Sequence, residues 1–174
     1  MVNHTSFYKV KTKDKKEDEV LFASFLTDNS SQTRRIGRSL AKNILQGCSS
    51  KEAVVLGLKG DLGGGKTTFL QGFARGLGIK EKILSPTFIV MRRLEINDSR
   101  FENFYHLDCY RIKSPKEVSS LGLKEIISNA KNIVAIEWAD RIGKILPRNC
   151  IVLEFEFTGK NKRKITIRQN HNGK

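Results

Sequence analysis

Apolar residues of the chain fall into short runs of two kinds, separated by polar or glycine-containing turns. Segments 53–60 (AVVLGLKG) and 132–139 (NIVAIEWA) are almost wholly apolar, which is typical of parallel strands covered on both faces. A further short strand is predicted at 21–26. Helical spacing of apolar residues predicts a helix that ends near Gly47 and another that follows residue 65 and stops at Gly78.

The second half of the chain continues this alternation. Segments 85–96 and 101–110 have the composition of strands, and 114–130 has a helical pattern. Within 151–168, a strictly alternating segment, a polar turn and a second strand-like segment predict an antiparallel hairpin. Because no repeat or linker divides the chain, we predict one α/β domain over 21–170, with a mixed, mostly parallel central sheet flanked by helices.

Residues 1–20 differ from this domain in composition. Their KVKTKDKKEDE segment alternates lysines with acids and has few apolar side chains, which predicts a charged, solvated and flexible extension. No apolar run reaches the roughly 18 residues of a membrane span, and the N-terminus lacks the apolar core of a secretory signal. Cys48, Cys109 and Cys150 are odd in number and widely spaced, which is typical of reduced thiols. We therefore expect a cytoplasmic protein without membrane association.

The charge of the chain is strongly basic. Thirty-two lysines and arginines stand against 18 acids among 174 residues, which gives a formal net charge of +14. An acidic partner such as RNA would explain this balance, and so would a requirement for solubility. The charge is therefore compatible with a nucleic-acid partner but does not by itself indicate one.

A glycine-rich turn, GDLGGGKTT, follows the apolar segment 53–60. It satisfies the pattern G-x-x-x-x-G-K-[ST] through Gly60, Gly65, Lys66 and Thr67, with a predicted strand before it and a predicted helix after it. Glycines allow backbone N–H groups and a helix N-terminus to face phosphate oxygens. The lysine would bind the β- and γ-phosphates, and the threonine hydroxyl would coordinate Mg²⁺. The turn is therefore predicted to bind the phosphates of a nucleotide.

Acidic residues at the ends of two other predicted strands complete this picture. Glu137 follows four apolar residues, and such a carboxylate could hold Mg²⁺ through a water or orient an attacking water. Asp108 is the last residue of the segment FYHLD, and ligands of open α/β sheets bind at the carboxyl ends of the strands. His106 lies on the same face of that strand, and we expect it to have a structural or hydrogen-bonding role. Trp138 would either pack in the core or stack beside the nucleotide.

Four motifs in a fixed order give the chain a family resemblance. GDLGGGKTTFLQGFARGLG, SPTF, YHLDCYRI and IEWADR…LP resemble the YjeE/TsaE family, the small ATPases of bacterial tRNA threonylcarbamoyladenosine biosynthesis. The resemblance extends over residues 22–168 and implies a P-loop NTPase fold. The chain departs from the family pattern at Gly64, where alanine is common, and at Cys109, where an apolar residue is usual. Residues 1–20 have no counterpart.

The resemblance also implies roles for particular residues. Lys66, Glu137 and Asp108 would be catalytic, and Thr67 and Glu137 would hold Mg²⁺. Ser85-Pro86-Thr87 would form a switch that senses the γ-phosphate, although by its sequence alone it is equally a plain loop. Together, the residue patterns and the resemblance predict a nucleotide-binding set of Thr33, Gly63, Gly64, Gly65, Lys66, Thr67, Thr68, Ser85, Thr87, Asp108, Trp138 and Arg163.

Family membership would make the chain a Mg²⁺-dependent ATPase, weak alone and stimulated by two partner subunits. Those subunits carry the threonylcarbamoyl-transferase chemistry on the adenosine next to the anticodon of tRNAs that read ANN codons. Contact of this chain with tRNA would be direct or through those subunits. ATP and Mg²⁺ are the implied cofactors.

Other classes of protein share parts of these signals. The turn also fits G-x-x-G-x-G-K-[ST] of small-molecule kinases, which usually add an arginine-bearing lid, and no arginine-rich lid is evident between Gly78 and Glu137. A GTPase would need an N-K-x-D motif, whereas segment 161–164 ends in lysine. A basic RNA-binding module would explain the charge but leave the glycine-rich turn and Glu137 without a role.

Overall fold

The computed structural model describes residues 8–11, 19–47, 51–84, 90–143 and 145–170. The described part contains one eight-stranded sheet and four α-helices, with a short 3₁₀ helix at Ala139–Ile142. The strands are β1 (Tyr8–Lys11), β2 (Glu19–Thr27), β3 (Val54–Gly60), β4 (Met91–Glu95), β5 (Asn103–Asp108), β6 (Asn132–Glu137), β7 (Ile151–Phe157) and β8 (Arg163–Asn170). The α-helices are α1 (Ser30–Gly47), α2 (Lys66–Gly76), α3 (Pro115–Ser119) and α4 (Leu123–Ser128).

The sheet has a parallel centre and antiparallel borders. Its strand order is β1-β2-β8-β7-β3-β6-β5-β4, in which β7, β3, β6 and β5 run parallel to one another. The outer pairings, β1 with β2, β2 with β8, β8 with β7 and β4 with β5, are antiparallel. This arrangement confirms the predicted mixed α/β sheet and the C-terminal hairpin of β7 and β8. The predicted nucleotide loop leaves the sheet at its centre, between β3 and α2.

Helices cover both faces of the central strands. On one face α1 and α2 bury the larger apolar cluster, in which the ring of Phe73 on α2 lies 5.8 Å from that of Phe104 on β5. These two helices approach closely, because a Cβ atom at Gly72 would lie only 1.9 Å from the carbonyl oxygen of Arg34. On the other face, α3, α4 and the 3₁₀ helix enclose a second cluster around β5 and β6. The phosphate-loop helix is thus fixed to α1 and to the sheet.

Two parts of the observed structure differ from the sequence prediction. The helix predicted over 114–130 is two short helices, because the chain turns at Gly122 with a φ of 73°. The expected solvated extension, 1–20, contains strand Tyr8–Lys11, and its boundary falls inside β2, which begins at Glu19. Strand pairing uses backbone groups, so a charged segment can pair at a sheet edge without an apolar pattern. The division of the chain into an extension and a domain stays a prediction.

Among the described residues, none of the helices combines the length and the apolar character that crossing a membrane requires.

Candidate nucleotide-binding site

The glycine-rich loop follows β3 directly and ends where α2 begins. Gly60, Gly63 and Gly65 have φ angles of 127°, 74° and 102°, in the left-handed region that favours glycine. At Gly60 a Cβ atom would also lie 2.3 Å from the carbonyl oxygen of Phe155 on β7. The loop can therefore turn tightly against the sheet and present the N-terminus of α2, whose dipole favours an anion there.

Lys66, the first residue of α2, directs its side chain back into the loop. Its ammonium nitrogen donates hydrogen bonds to the carbonyl oxygens of Gly60, at 2.6 Å, and Asp61, at 2.8 Å. The same nitrogen lies 4.0 Å from the centroid of the Trp138 ring, and only 4% of the residue is exposed. Burial lowers the pKa of Lys66. Nearby carboxylates oppose this shift, and that of Glu137 has the largest opposing effect. A cation is therefore enclosed at the place where the sequence predicts phosphate.

Thr67, the next residue of α2, meets the predicted acid of β6. Its hydroxyl Oγ1 lies 3.0 Å from both Oε1 and Oε2 of Glu137. Glu137 is buried at the end of β6, 2% exposed, and His106 Nε2 on the neighbouring β5 lies 2.9 Å from Oε1. Asp108 stands directly opposite Glu137 in the β5–β6 register, and its Oδ1 accepts a hydrogen bond from the backbone N–H of Tyr110 at 2.9 Å. The structure therefore brings the predicted threonine and both predicted acids to one edge of the sheet.

Trp138 occupies an unusual backbone position beside the loop. Its φ of 58° makes it the one non-glycine residue in the described part of the chain with a positive φ. The ring lies 5.0 Å from that of Tyr110, and the Arg141 guanidinium lies 5.4 Å and 5.7 Å from the Tyr110 and Trp138 rings respectively. Trp138, Glu137 and loop residues 62–68 line a cleft of about 180 Å³. The ring is therefore placed beside the loop lysine, and Tyr110 and Arg141 are neighbours that the sequence analysis did not identify.

A second, larger cleft of about 360 Å³ adjoins the other side of the loop. It brings Thr33 on α1 and Arg163 on β8 to the same place as Gly63, although these residues are far apart in sequence. Thr33 Oγ1 lies 3.1 Å from the hydroxyl of Thr27, while Arg163 donates to the Gly63 carbonyl at 3.4 Å and covers the Phe157 ring. The lining residues are Asp28, Asn29, Ser30, Thr33, Gly63, Gly65, Thr68, Asn161 and Arg163.

Two predicted features remain to be considered, the switch and the metal site. Ser85, Pro86 and Thr87 lie outside the described residues, so the switch stays a prediction. In the described ranges, no group of three or more histidines, cysteines and acids could hold a metal ion. A Mg²⁺ site needs no such cluster, since this ion commonly takes one or two protein oxygens and completes its shell with water and phosphate. Thr67 and Glu137 supply oxygens of that kind.

These features together define a class of protein. A glycine-rich loop joins a central parallel strand to a helix that opens with lysine and threonine, and an acid from the adjacent strand faces that threonine. This combination is that of the P-loop NTPase fold.

Comparison with known proteins identifies the family. Residues 27–165 match the family described as threonylcarbamoyl adenosine biosynthesis protein TsaE. The chain is 37% identical to the tRNA threonylcarbamoyladenosine biosynthesis protein TsaE of Bacillus subtilis over 81% of this chain and 82% of that protein. The protein of the same name from Nostoc is 44% identical over 68% of each chain. The crystal structure of Bacillus subtilis YdiB superposes with a TM-score of 0.69, at 31% identity and 88% coverage of each chain. The chain belongs to the TsaE family, as its four motifs predicted.

Proposed function

We propose that this protein is an ATP-binding and ATP-hydrolysing subunit that acts in tRNA threonylcarbamoyladenosine biosynthesis. The observation that carries the ATPase assignment is the contact of Thr67, at the start of the phosphate-loop helix, with the buried Glu137. The pathway assignment is supported by family membership and by the names of the relatives. In this proposal, each predicted site residue has the role that the family resemblance implies for it.

The residues at the loop fit a triphosphate. The ammonium of Lys66 now binds two loop carbonyls, and phosphate oxygens would be stronger, charge-assisted acceptors for the same donor. Thr33, Arg163 and the larger cleft would take the nucleoside side of ATP, with Gly63–Thr68 around the phosphates.

The oxygens of Thr67 and Glu137 fit Mg²⁺. The Thr67 hydroxyl can donate its proton to Glu137 while its lone pairs stay available to a cation. When bound, Mg²⁺ would offset the negative charge of the β- and γ-phosphates. Glu137 would hold a metal-bound or attacking water, and Asp108 would stand beside the nucleotide.

The proposal includes two partner subunits of this protein. By resemblance, these subunits carry the threonylcarbamoyl transfer and stimulate the ATPase, which is weak alone. The 85–87 segment, as the predicted switch, would sense the γ-phosphate and couple hydrolysis to that complex. The protein would work in the cytoplasm.

A direct contact with tRNA is supported by the outer layer formed by α1 and α2. Neither helix contains an acidic residue, and their side chains exposed to solvent include five cations. Such an acid-free basic surface attracts a phosphodiester backbone. These cations are Arg34, Arg35, Arg38, Lys42 and Arg75.

ATP hydrolysis by the full chain tests the enzymatic proposal. We expect slow hydrolysis by the protein alone, faster hydrolysis with both partner subunits, and loss of hydrolysis in Lys66→Ala or on addition of EDTA. Lys124→Ala, an exposed lysine on α4, is the matched control and should behave as the unmodified protein. Unchanged hydrolysis in Lys66→Ala would refute the loop as the active phosphate site. Stoichiometric phosphorylation of a metabolite would favour the small-molecule kinase instead.

Fluorescence anisotropy with labelled tRNA tests the contact. Replacing Arg35, Arg38 and Lys42 with Gln should weaken binding and flatten its salt dependence. The matched triple variant at Lys113, Lys116 and Lys124 removes the same charge beneath the opposite face of the sheet and should bind as before. Equal weakening in both variants would indicate a response to net charge, and undetectable binding of the unmodified protein would leave RNA contact to the partner subunits.

A further inference from the structure

The buried histidine of β5 is bonded to the acid of the candidate site. His106 is 1% exposed, and its Nε2 lies 2.9 Å from Oε1 of Glu137, which is itself 2% exposed. An ionised carboxylate can only accept hydrogen bonds, so against Glu137 in that form the Nε2 atom of His106 would be the donor. The proposed function assigns no step to this side chain.

The surroundings of His106 make it costly as a packing residue. On the same face of β5, Phe104 is fully buried in the apolar cluster beneath α2. A polar ring in such a place loses its hydration, and only a hydrogen bond offsets that loss. Its register partner on β6 is Ala135, whose small side chain leaves the imidazole room to reach along β6 to Glu137. The ring is therefore placed for its bond to Glu137 and not for apolar packing.

The two donors at Glu137 act differently on its carboxylate. Thr67 has one proton to share between Oε1 and Oε2, both at 3.0 Å, so alone it does not distinguish the two oxygens. His106 bonds to Oε1 only. Oε1 thus has two donors, whereas Oε2 has the shared Thr67 proton and retains more accepting capacity.

We propose that His106 is the positioning residue of Glu137, and that it leaves Oε2 as the oxygen that acts on water or Mg²⁺. This proposal rests on the ATPase function proposed above. In this role His106 donates from Nε2 to Oε1, which fixes the rotation of the carboxylate about its Cγ–Cδ bond. Partners of this kind commonly affect metal affinity or activity by about 10–100-fold when they are removed.

Substitutions that mimic different ring nitrogens test this role. The amide nitrogen of Gln reaches approximately the place of Nε2, whereas the shorter Asn side chain approximates Nδ1. We expect His106→Gln to retain most of the activity, and His106→Asn and His106→Leu to lower kcat by about 10–100-fold and to need more Mg²⁺. Affinity for ATP in EDTA should change less than about twofold, because Lys66 and the loop are untouched. Phe104→Leu is the control for lost packing on the same strand face.

The outcomes separate this proposal from the one on which it depends. If the unmodified protein and its partners hydrolyse no ATP, the proposed ATPase function fails. If the unmodified protein hydrolyses ATP and Lys66→Ala does not, the ATPase function stands. In that case, equal kcat in His106→Leu and the unmodified protein would overturn the positioning role. Equal losses in the Gln, Asn and Leu variants would also overturn it, as would matching losses of Mg²⁺-free ATP affinity and thermal stability, because those results describe a packing residue.

A measurement without nucleotide or metal gives an independent reading. The chain has three histidines, so long-range ¹H–¹⁵N spectra can be assigned by comparison with His106→Gln. We expect His106 to show the Nε2–H tautomer with a slowly exchanging proton, and Glu137→Ala to abolish that protection. An Nδ1–H tautomer, or unchanged protection in Glu137→Ala, would refute the bond on which the proposal depends.

Discussion

The ammonium nitrogen of Lys66 lies 4.0 Å from the centre of the Trp138 indole ring. An ammonium over an aromatic face is attracted by the ring quadrupole, and the attraction is stronger where water is excluded. Together with the carbonyls of Gly60 and Asp61, the indole holds the lysine in place without phosphate. Binding of phosphate would thus require Lys66 to exchange partners, and Trp138 stands where that exchange can be observed.

Fluorescence of Trp138 should report this exchange, since it is the one tryptophan in the chain. We expect emission to rise with ATP and to saturate, because a nearby ammonium quenches indole and would move away to the phosphates. Lys66→Met should begin with brighter emission and show no further rise at the same ATP concentrations, while the control Lys124→Ala should respond as the unmodified protein. An identical response in Lys66→Met would show that the signal does not come from the lysine.

The local pattern around the loop could be predicted from sequence because each part depends on nearby residues. An apolar strand, the glycine turn and the helix after it form one continuous segment, and β3 and α2 stand where that segment placed them. The apolar run before Glu137 likewise placed this acid at a strand end. Parallel pairing of β3 with β6 then brings Glu137 beside the loop, as expected of adjacent strands in an α/β sheet.

Other features depend on tertiary contacts and could not be predicted. The left-handed backbone at Trp138 and the packing of its ring with Tyr110 have no local sequence signal. The pairing of β1 with β2 needs only backbone groups, so a charged segment gave no indication of it. In the 114–130 segment, apolar spacing continued across Gly122, whose positive φ separates the two helices.

The two described cysteines should be inert in the folded protein. Burial raises the pKa of the Cys109 and Cys150 thiols to about 12. At pH 8 these thiols would therefore stay almost wholly protonated, whereas an exposed thiol, with a pKa of about 8.5, is partly ionised. In a Cys48→Ser variant we expect a chromogenic disulfide reagent to detect neither thiol until denaturant is added, and then two.

The same pKa values set the direction of a pH effect on stability. Each thiol loses its proton near pH 9 in the unfolded chain but only near pH 12 in the folded protein. The contribution of these thiols to the free energy of unfolding is therefore complete below about pH 9 and is lost as pH rises towards 12. Rapid reaction of both thiols in native protein at pH 8 would contradict the buried placement.

Close contact of α1 with α2 should make Gly72 intolerant of a side chain. A Cβ atom there would meet the backbone of Arg34, which cannot move without displacing α1. We expect Gly72→Ala to lower the free energy of unfolding by about 3 kcal/mol. The melting temperature should fall by roughly 2–4 °C for each kcal/mol in a protein of this size. Gly47→Ala is the control, since nothing lies within 4 Å of its Cβ position, and equal melting temperatures for the two variants would contradict the close approach.

The hydroxyl of Thr67 should matter to Mg²⁺ more than to ATP. Thr67→Ser keeps an oxygen that can ligate a cation and donate to Glu137, whereas the nearly isosteric Thr67→Val keeps only the shape. We expect the serine variant to hydrolyse ATP at close to the normal rate, and the valine variant at less than a tenth of it. Mg²⁺ should also raise ATP affinity less in the valine variant, which titrations in Mg²⁺ and in EDTA would measure.

Valine also removes the Thr67 hydroxyl that donates to the buried Glu137 carboxylate, and such a loss costs about 1–3 kcal/mol. The melting temperatures of both variants should therefore be measured alongside the assay, so that a loss of stability is not mistaken for a loss of Mg²⁺ binding. If the valine variant folds and hydrolyses ATP with an unchanged Mg²⁺ requirement, Thr67 is not the ligand. Glu137 would then have to hold the ion without it, and its hydrogen bond from Thr67 would serve only to join α2 to β6.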